Sequence, residues 1–395
     1  MKILYFCNVH KNVPTEMGVL KKVLAQCSVM RNAGHFVYIA CPCDNSKFVI
    51  TDNDGIEAEV FCTNTISRYK RDSYIFAKIQ RFIKENGINV IYSRYSNFSV
   101  EAHLFYKKLK KNGVFTLLEI PTYPMSQRWT SIKQSIRSGN FRTALIQTYN
   151  STIGTAGVLF FKHSILRIVN NNGFNKIWGI PVIPITNGID VNSIPSRKHC
   201  YSKKKKILVT SVANVAKWHG YDRFISGLHV YYKSSPSTEV YFELAGPGLE
   251  VELLRKQVKC LGVEKYVQFL GPISGSDLDE LYDRSDIGIS ILGIHRNNMD
   301  TIDCLKSREF CARRLPFITQ SAEKHFNNKE FAMMVESDES PIDINEVVDF
   351  YDEIVERPNI LDCMYDFAKT QCDWSVAFSN VVAFINSIDN DRKNS

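Results

Sequence analysis

Along almost the whole 395-residue chain, short segments rich in Ile, Val, Phe and Tyr alternate with helix-length amphipathic segments, and the alternation starts afresh once. Strands that alternate with helices in this way build parallel sheets covered by helices, so the pattern predicts two α/β domains, each with a doubly wound sheet. Strands are predicted in the first half at 2–8, 35–41, 57–62, 89–93, 115–120, 157–161 and 181–186, with helices at 18–33, 74–86, 98–112 and 129–149. The second series has strands at 206–211, 240–245, 267–270, 287–291, 317–319 and 332–335 and helices at 221–234, 250–261, 276–284, 305–313 and 341–357. Between the two lies NGIDVNSIPSRKHCYSKKKK, with turn residues, a proline and a lysine run but no apolar period. The expected division is 1–190, a linker at 191–205, 206–372, and a C-terminal helix within 373–395 that packs back on the first domain. Two such domains facing each other would place a cleft at the carboxyl ends of their strands, where the ligands of parallel sheets bind.

Forty-four per cent hydrophobic content suffices for a core in each domain. The most apolar stretch, TAGVLFFKHSILRIV, is interrupted by Lys162, His163 and Arg167, so no membrane-spanning helix is expected. The opening MKILYFCNV reads as a first strand rather than a signal peptide. Eleven cysteines without a disulfide-like spacing, several of them inside apolar runs, suit a reducing compartment and a cytoplasmic protein. Cys41 and Cys43 lack a second pair at zinc-binding spacing, so no metal site is expected.

Charge is uneven. Residues 1–200 hold 26 Lys and Arg against 11 Asp and Glu, and residues 201–395 hold 23 against 30, giving +15 and −7. The basic half therefore suits an anionic partner such as nucleic acid, an acidic bilayer or a phosphorylated acceptor.

Several short motifs follow in order: EIPTYP (119–124), ITNGID (185–190), KWHGYDR (217–223), ELAGPGLE (243–250), LGPIS (270–274) and LKSREFCARRLPFI (305–318). Their order and spacing resemble those of GT-B fold glycosyltransferases, most closely the retaining family 4 group of bacterial surface polysaccharide synthesis. The resemblance implies two Rossmann-like domains facing across a cleft. The implied activity is transfer of a sugar from a nucleoside diphosphate sugar, UDP-sugar before GDP-sugar, to a growing, lipid-linked glycan. No cofactor and no metal are implied, because backbone amides and cations hold the diphosphate.

The site residues implied by the resemblance are these. Glu309 would accept from the ribose hydroxyls, a role suited to an acceptor-only carboxylate. Lys306, one helical turn earlier, would sit by the donor phosphates, the other reading being an exposed ion pair with Glu309. The family's arginine and lysine after the first strand of the second domain correspond to Asn214 and His219; a protonated His219 would donate to the diphosphate, with Lys217, Arg223 or Arg296 as substitutes. The other reading has Trp218 packed on the core and His219 capping a helix. Gly246 and Gly248 would let backbone approach the donor, a tight turn being equally compatible with the pair. Leu305 adjoins Lys306 at the donor. Thr301 stands where the family has a second glutamate, with Asp300 and Asp303 close by. Arg314 replaces a glycine usual in a left-handed turn, which points to a local change of that turn. In the first domain Gly18 corresponds to a loop near the donor phosphates. Arg94, Glu119, Thr122, Tyr123 and His163 follow predicted strands and are the acceptor candidates, although a buried Arg94 to Glu119 pair that only braces loops is equally compatible.

Neither half carries G-x-G-x-x-G after a strand, which disfavours a nicotinamide oxidoreductase. No RNA-binding or helix-turn-helix motif appears, so nucleic acid is not an expected partner. A glycosyltransferase-like protein with a degenerate donor site, acting as a non-catalytic scaffold, remains as an alternative. The basic stretch QRWTSIKQSIRSGNFRTALIQTY sets Arg128, Lys133, Arg137 and Arg142 among Trp129, Ile132, Ile136, Phe141 and Leu145, a composition suited to the anionic inner face of a plasma membrane. In a flotation assay the chain is expected to rise with anionic vesicles at low salt and to stay behind with zwitterionic ones; no flotation with anionic vesicles refutes this reading.

Overall fold

A computed structural model describes residues 1–13, 16–44, 46–67, 70–94, 99–121, 132, 135–136, 139–145, 148, 161–171, 173–197, 200–297, 299 and 301–393. The chain forms two compact units, Met1–Thr186 with Ala377–Ser395, and Asn187–Val376. No described helix is long and apolar enough to cross a membrane.

The first unit contains β1 (Lys2–Phe6), α1 (Met17–Asn32), β2 (Phe36–Pro42), β3 (Lys47–Thr51), β4 (Glu57–Cys62), α2 (Arg71–Asn86), β5 (Val90–Arg94), α3 (Val100–Lys111), β6 (Phe115–Glu119), β7 (Arg167–Asn170), β8 (Lys176–Ile177) and β9 (Ile180–Pro184). They form one sheet in the order β4-β3-β2-β1-β5-β6-β7-β9-β8. The centre is parallel, but β2, β3 and β4 pair antiparallel. Strand β3 was not expected. The Asp44 carboxylate accepts from the Ser46 and Lys47 amides at 2.7 and 2.9 Å, an Asx turn that reverses the chain within what reads as a loop. Strand β7 was also missed, because Arg167 interrupts its apolar run. The strand expected at 157–161 lies outside the described residues except for Phe161, which is buried in a helical turn. About half of the basic helix expected at 129–149 also lies outside them; of the described residues there, 132, 135–136, 141–145 and 148 are helical, and Gly139 and Asn140 are not.

The C-terminal helix Ser379–Lys393 belongs to this first unit and buries Val381, Ile385 and Ile388. Phe378 just before it meets Tyr92 edge-on at 5.5 Å, Arg167 lies 4.8 Å from the Phe384 ring centroid, and Asn380 donates to the Pro184 carbonyl at 3.0 Å.

In the second unit the order is β10 (Lys206–Val212), α4 (Tyr221–Tyr232), β11 (Glu239–Ala245), α5 (Val251–Leu261), β12 (Val267–Gly271), α6 (Ser276–Arg284), β13 (Ile287–Ile289), α7 (Leu305–Arg313), β14 (Phe317–Gln320), β15 (Ala332–Val335), α8 (Ile344–Glu356) and α9 (Ile360–Phe367). The sheet runs β12-β11-β10-β13-β14-β15, with every pair parallel. This is the doubly wound order, and it reverses direction between β10 and β13. The described residues of 191–205 are fastened to this unit. Val191 is in its core, the Tyr201 hydroxyl donates to the Asp286 carbonyl at 2.7 Å, and Arg197 donates to the Arg314 carbonyl at 2.8 Å.

The turn after α7 is not altered by its arginine. Arg314 itself takes the left-handed conformation, φ 56° and ψ 42°. Its guanidinium lies 4.1 Å from the Tyr365 ring centroid and donates to Ser196 Oγ at 3.0 Å. The conformational cost of about 1 kcal/mol is thus offset by packing of about the same size. Urea unfolding is expected to place Arg314→Gly within about 1 kcal/mol of the wild type and Arg314→Ala about 1 kcal/mol below both, since alanine keeps the strain and loses the ring contact. Equal stability of the alanine and glycine variants overturns this account.

Candidate active site

At the reversal point of the second sheet, the loops that leave β10 and β13 touch. A Cβ on Gly220 would fall 2.6 Å from the Leu292 carbonyl carbon, and the Leu292 amide donates to the His219 carbonyl at 2.9 Å. Gly220, at φ 69°, therefore satisfies both the turn into α4 and this contact. The β11 loop closes in from the other side. A Cβ on Gly246 or Gly248 would lie 1.9 or 2.1 Å from the carbonyl oxygens of Ala213 and Val215, and the Val215 amide donates to the Pro247 carbonyl at 2.6 Å. On their Cβ side these two glycines admit the chain's own backbone.

Helix α7 starts at this edge, held by a residue that the sequence reading missed. Glu323 is 0% exposed, and its carboxylate accepts from the Cys304 amide at 3.1 Å and from the Ser307 and Thr319 hydroxyls, both at 2.6 Å. Burial pushes its carboxyl up, against the pull of those hydroxyl donors. The first turn of α7 is thereby locked to the end of β14. Lys306 in that turn donates to the Tyr221 hydroxyl at 3.1 Å, and that hydroxyl lies 2.7 Å from Ser211 Oγ. Tyr221 was inside the quoted KWHGYDR motif, but nothing in the spacing marked it out.

His219 stacks on Tyr221, with centroids 5.3 Å apart and planes 5° from parallel. Its Nδ1 accepts from the Ala216 amide at 3.1 Å, which leaves the proton on Nε2. Burial first, and then the nearby Lys306 charge, lower its pKa to about 3. With these neighbours the ring is neutral, and its Nε2–H can still donate. Trp218 is 42% exposed and is not packed into the core, whereas the helix-capping role of His219 is present. Asn214 and Lys217 are exposed on the same loop, and Leu305 is exposed at the first position of α7.

Glu309 does not pair with Lys306. It accepts from Arg313 Nε at 3.0 Å, while Arg313 also pairs with Asp279 at 2.7 Å and lies 4.7 Å from the Tyr282 ring centroid. Two other cations considered for the diphosphate are committed elsewhere. Arg296 clasps Asp222 through two contacts of 2.8 Å, bonds Glu339 and donates to the Lys217 carbonyl, and these carboxylates raise its pKa further. Arg223 is buried and donates to the carbonyls of Ser340, Leu292 and Glu336. Asp303 pairs with Arg308 and accepts from the Asn187 amide at 2.7 Å, so it braces the loop instead of facing a sugar. Thr301 is exposed in the loop before α7, and Asp300 lies outside the described residues.

In the first unit, Glu119 is 1% exposed and serves as a brace. It pairs with Lys22 at 3.2 Å and Arg94 at 2.5 Å and accepts from the Tyr92 hydroxyl at 2.9 Å. Burial works against its ionisation, but Lys22 and Arg94 prevail and hold it down to about 2. The expected contact of Glu119 with an acceptor is corrected accordingly, and Arg94 is bound to it. Lys22, four residues after Gly18, was not anticipated. Gly18 is exposed as the second residue of α1, with open space around it. His163 lies at the wrong edge for the predicted site. It precedes β7, and its carbonyl accepts from Lys110 in the last turn of α3, which places it at the amino ends of the strands. Thr122 and Tyr123 lie outside the described residues. Among the described residues no group of three or more His, Cys, Asp or Glu is placed to hold a metal ion.

No protein-family model matches the chain, and no curated protein sequence does. Solved structures do. A glycosyltransferase from Rickettsia africae superposes with TM-score 0.64 at 12% identity over 98% of both chains. Anabaena HepE, solved with UDP, gives 0.58 at 13% over 98% of this chain and 100% of its own. WaaG, a glycosyltransferase of lipopolysaccharide biosynthesis, gives 0.54 at 13% over 96% and 98%. The fold of the chain is GT-B.

The lowered pKa of His219 makes stability depend on pH. The unfolded ring takes up a proton below about 6.5 and the folded ring does not, so this contribution is complete above about pH 6.5 and is lost as pH falls toward 3. Urea midpoints measured from pH 7 to pH 4 are expected to fall more steeply for the wild type than for His219→Gln; identical slopes refute the buried neutral ring.

Proposed function

We propose that the chain is a glycosyltransferase of the family 4 type, which moves a sugar from a nucleoside diphosphate sugar to a growing surface glycan with retention of configuration. The observation that carries this reading is the Lys306, Tyr221 and His219 cluster at the start of α7, at the reversal point of a GT-B donor-type sheet. A helix start with a fixed lysine and an Nε2–H donor suits a diphosphate. In this reading Lys306 and the first amides of α7 take the phosphates, His219 donates from Nε2, and Glu309 accepts from the ribose. HepE has been solved with UDP-glucose as well as with UDP, which favours a UDP-sugar here.

In the proposed reaction the sugar C1–O bond to the diphosphate breaks as C1 bonds the acceptor oxygen on the same face. The departing phosphate oxygen takes the acceptor proton. The protein acts by positioning and by stabilising charge on the leaving diphosphate, and no side chain serves as general base. Metal independence, a lipid-linked acceptor and peripheral attachment to the cytoplasmic face of the membrane belong to the same proposal.

The second reading, a non-catalytic donor-degenerate scaffold, draws support from Asn214, the neutral His219 and the commitment of Arg296 and Arg223 to internal partners. Calorimetry separates the two. The wild type is expected to bind a UDP-sugar and to hydrolyse it slowly, and Glu309→Ala to bind it about 10- to 100-fold more weakly, the cost of removing hydrogen bonds to a charged acceptor. No heat with any UDP- or GDP-sugar supports the scaffold; undiminished affinity and turnover in Glu309→Ala overturns the assigned site.

A further inference from the structure

One residue of the KWHGYDR motif stands out for its exposure. Trp218 is 42% exposed, and its ring meets His219 at a tilt, with centroids 6.0 Å apart. The backbone beneath the indole is nevertheless fixed. The Lys217 carbonyl accepts from Arg296 Nη1 at 2.8 Å, the His219 carbonyl accepts from the Leu292 amide at 2.9 Å, and the Ala216 amide donates to His219 Nδ1 at 3.1 Å. A Cβ on Gly293 would fall 3.2 Å from the Trp218 carbonyl oxygen, so the loop after β13 lies directly against the turn. Leu305, 45% exposed at the first position of α7, is a second apolar side chain in water, next to Lys306. Isolated exposed apolar residues are ordinary. These two flank the same pair of donors, Lys306 and His219, and a ligand that reaches both donors would meet an apolar side chain beside each.

The contacts run in one order. Glu309 lies one helical turn from Lys306, Lys306 donates to the Tyr221 hydroxyl at 3.1 Å, Tyr221 stacks on His219, and Trp218 stands at the end. A nucleoside diphosphate sugar has a matching order of ribose, diphosphate and sugar. With the ribose at Glu309 and the phosphates at Lys306 and His219, the unit left for Trp218 is the sugar. Its chemistry suits an indole. A pyranose ring carries C–H bonds on its faces and hydroxyls around its rim, so an aromatic face covers the first while hydrogen-bonding groups take the second. Asn214 and Lys217, exposed on the same loop, and Thr301, exposed before α7, are polar groups for that rim.

We propose that Trp218 is the stacking platform for the sugar ring of the donor, an inference that rests on the proposed donor site. An indole on a fixed backbone loses little freedom when a ring packs on it, so the contact adds to affinity without a large ordering cost. Because the platform touches the sugar alone, it separates a UDP-sugar from UDP.

Calorimetry with UDP, UDP-glucose, UDP-galactose and UDP-N-acetylglucosamine carries the test. Trp218→Ala is expected to weaken the UDP-sugar that the wild type binds best by about 5- to 30-fold and to leave UDP affinity unchanged, and Trp218→Phe to restore most of the loss. Glu309→Ala, by contrast, is expected to weaken UDP and the UDP-sugar alike. In Trp218→Ala, an equal loss for UDP and the UDP-sugar, the signature of stacking on the base, or no loss for either, overturns the platform and leaves the donor site standing. No binding of any of the four by the wild type overturns the donor site, and the platform with it. Fluorescence of the wild type, with its four tryptophans, gives a readout that survives a variant's failure to fold. The UDP-sugar is expected to shift the emission to the blue and UDP is not; the same shift with both overturns the platform.

Discussion

A carboxylate sealed from water fixes the working edge of the second unit. Glu323 accepts from an amide at the start of α7 and from hydroxyls on α7 and β14, and so sets where that helix begins and which way its first turn faces. Such a group is stable only while its donors stay in place, since an acceptor buried without them costs about 1–3 kcal/mol or more. The position of Lys306, its bond to Tyr221 and the field felt by His219 all follow from that lock. The edge is preorganised by contacts that do not themselves touch a ligand.

Around that edge, positive charge is allotted sparingly. Arg296 and Arg223 supply the mechanical part: the first clasps the α4 entry to Glu339, and the second fills a nest of carbonyls beneath the β13 loop. Their charges are consumed by carboxylates and peptide dipoles, so little of either is left to act on an incoming anion. What the edge presents is Lys306, a neutral imidazole donor, helix amides and the exposed Asn214 and Lys217.

Much of this architecture was legible from periodicity. The β10 to α4 and α7 segments stand out because apolar positions repeat at strand and helix spacing, and the first and second units follow from the restart of that pattern. Partnerships across long separations were not legible. A sequence shows that Arg296 is basic but not that Asp222 and Glu339 converge on it, and no local pattern singles out Glu323 as the anchor of a helix that begins at Leu305. His163 was misplaced for a topological reason: without β7, the direction of the chain past it could not be known. Gly246 and Gly248 could not be resolved from sequence, because glycine reports close approach without saying to what.

The return of residues 377–395 to the unit that Met1 begins has a consequence for how the molecule is made. On the ribosome the early sheet emerges first but lacks the side chains of Phe378, Val381, Ile385 and Ile388 that finish its cover. The later unit, 187–376, is complete in the nascent chain before that cover arrives. Closure of the first unit therefore waits on residues made after the second, and until the helix at 379–393 is released the face of the sheet that it covers stays bare.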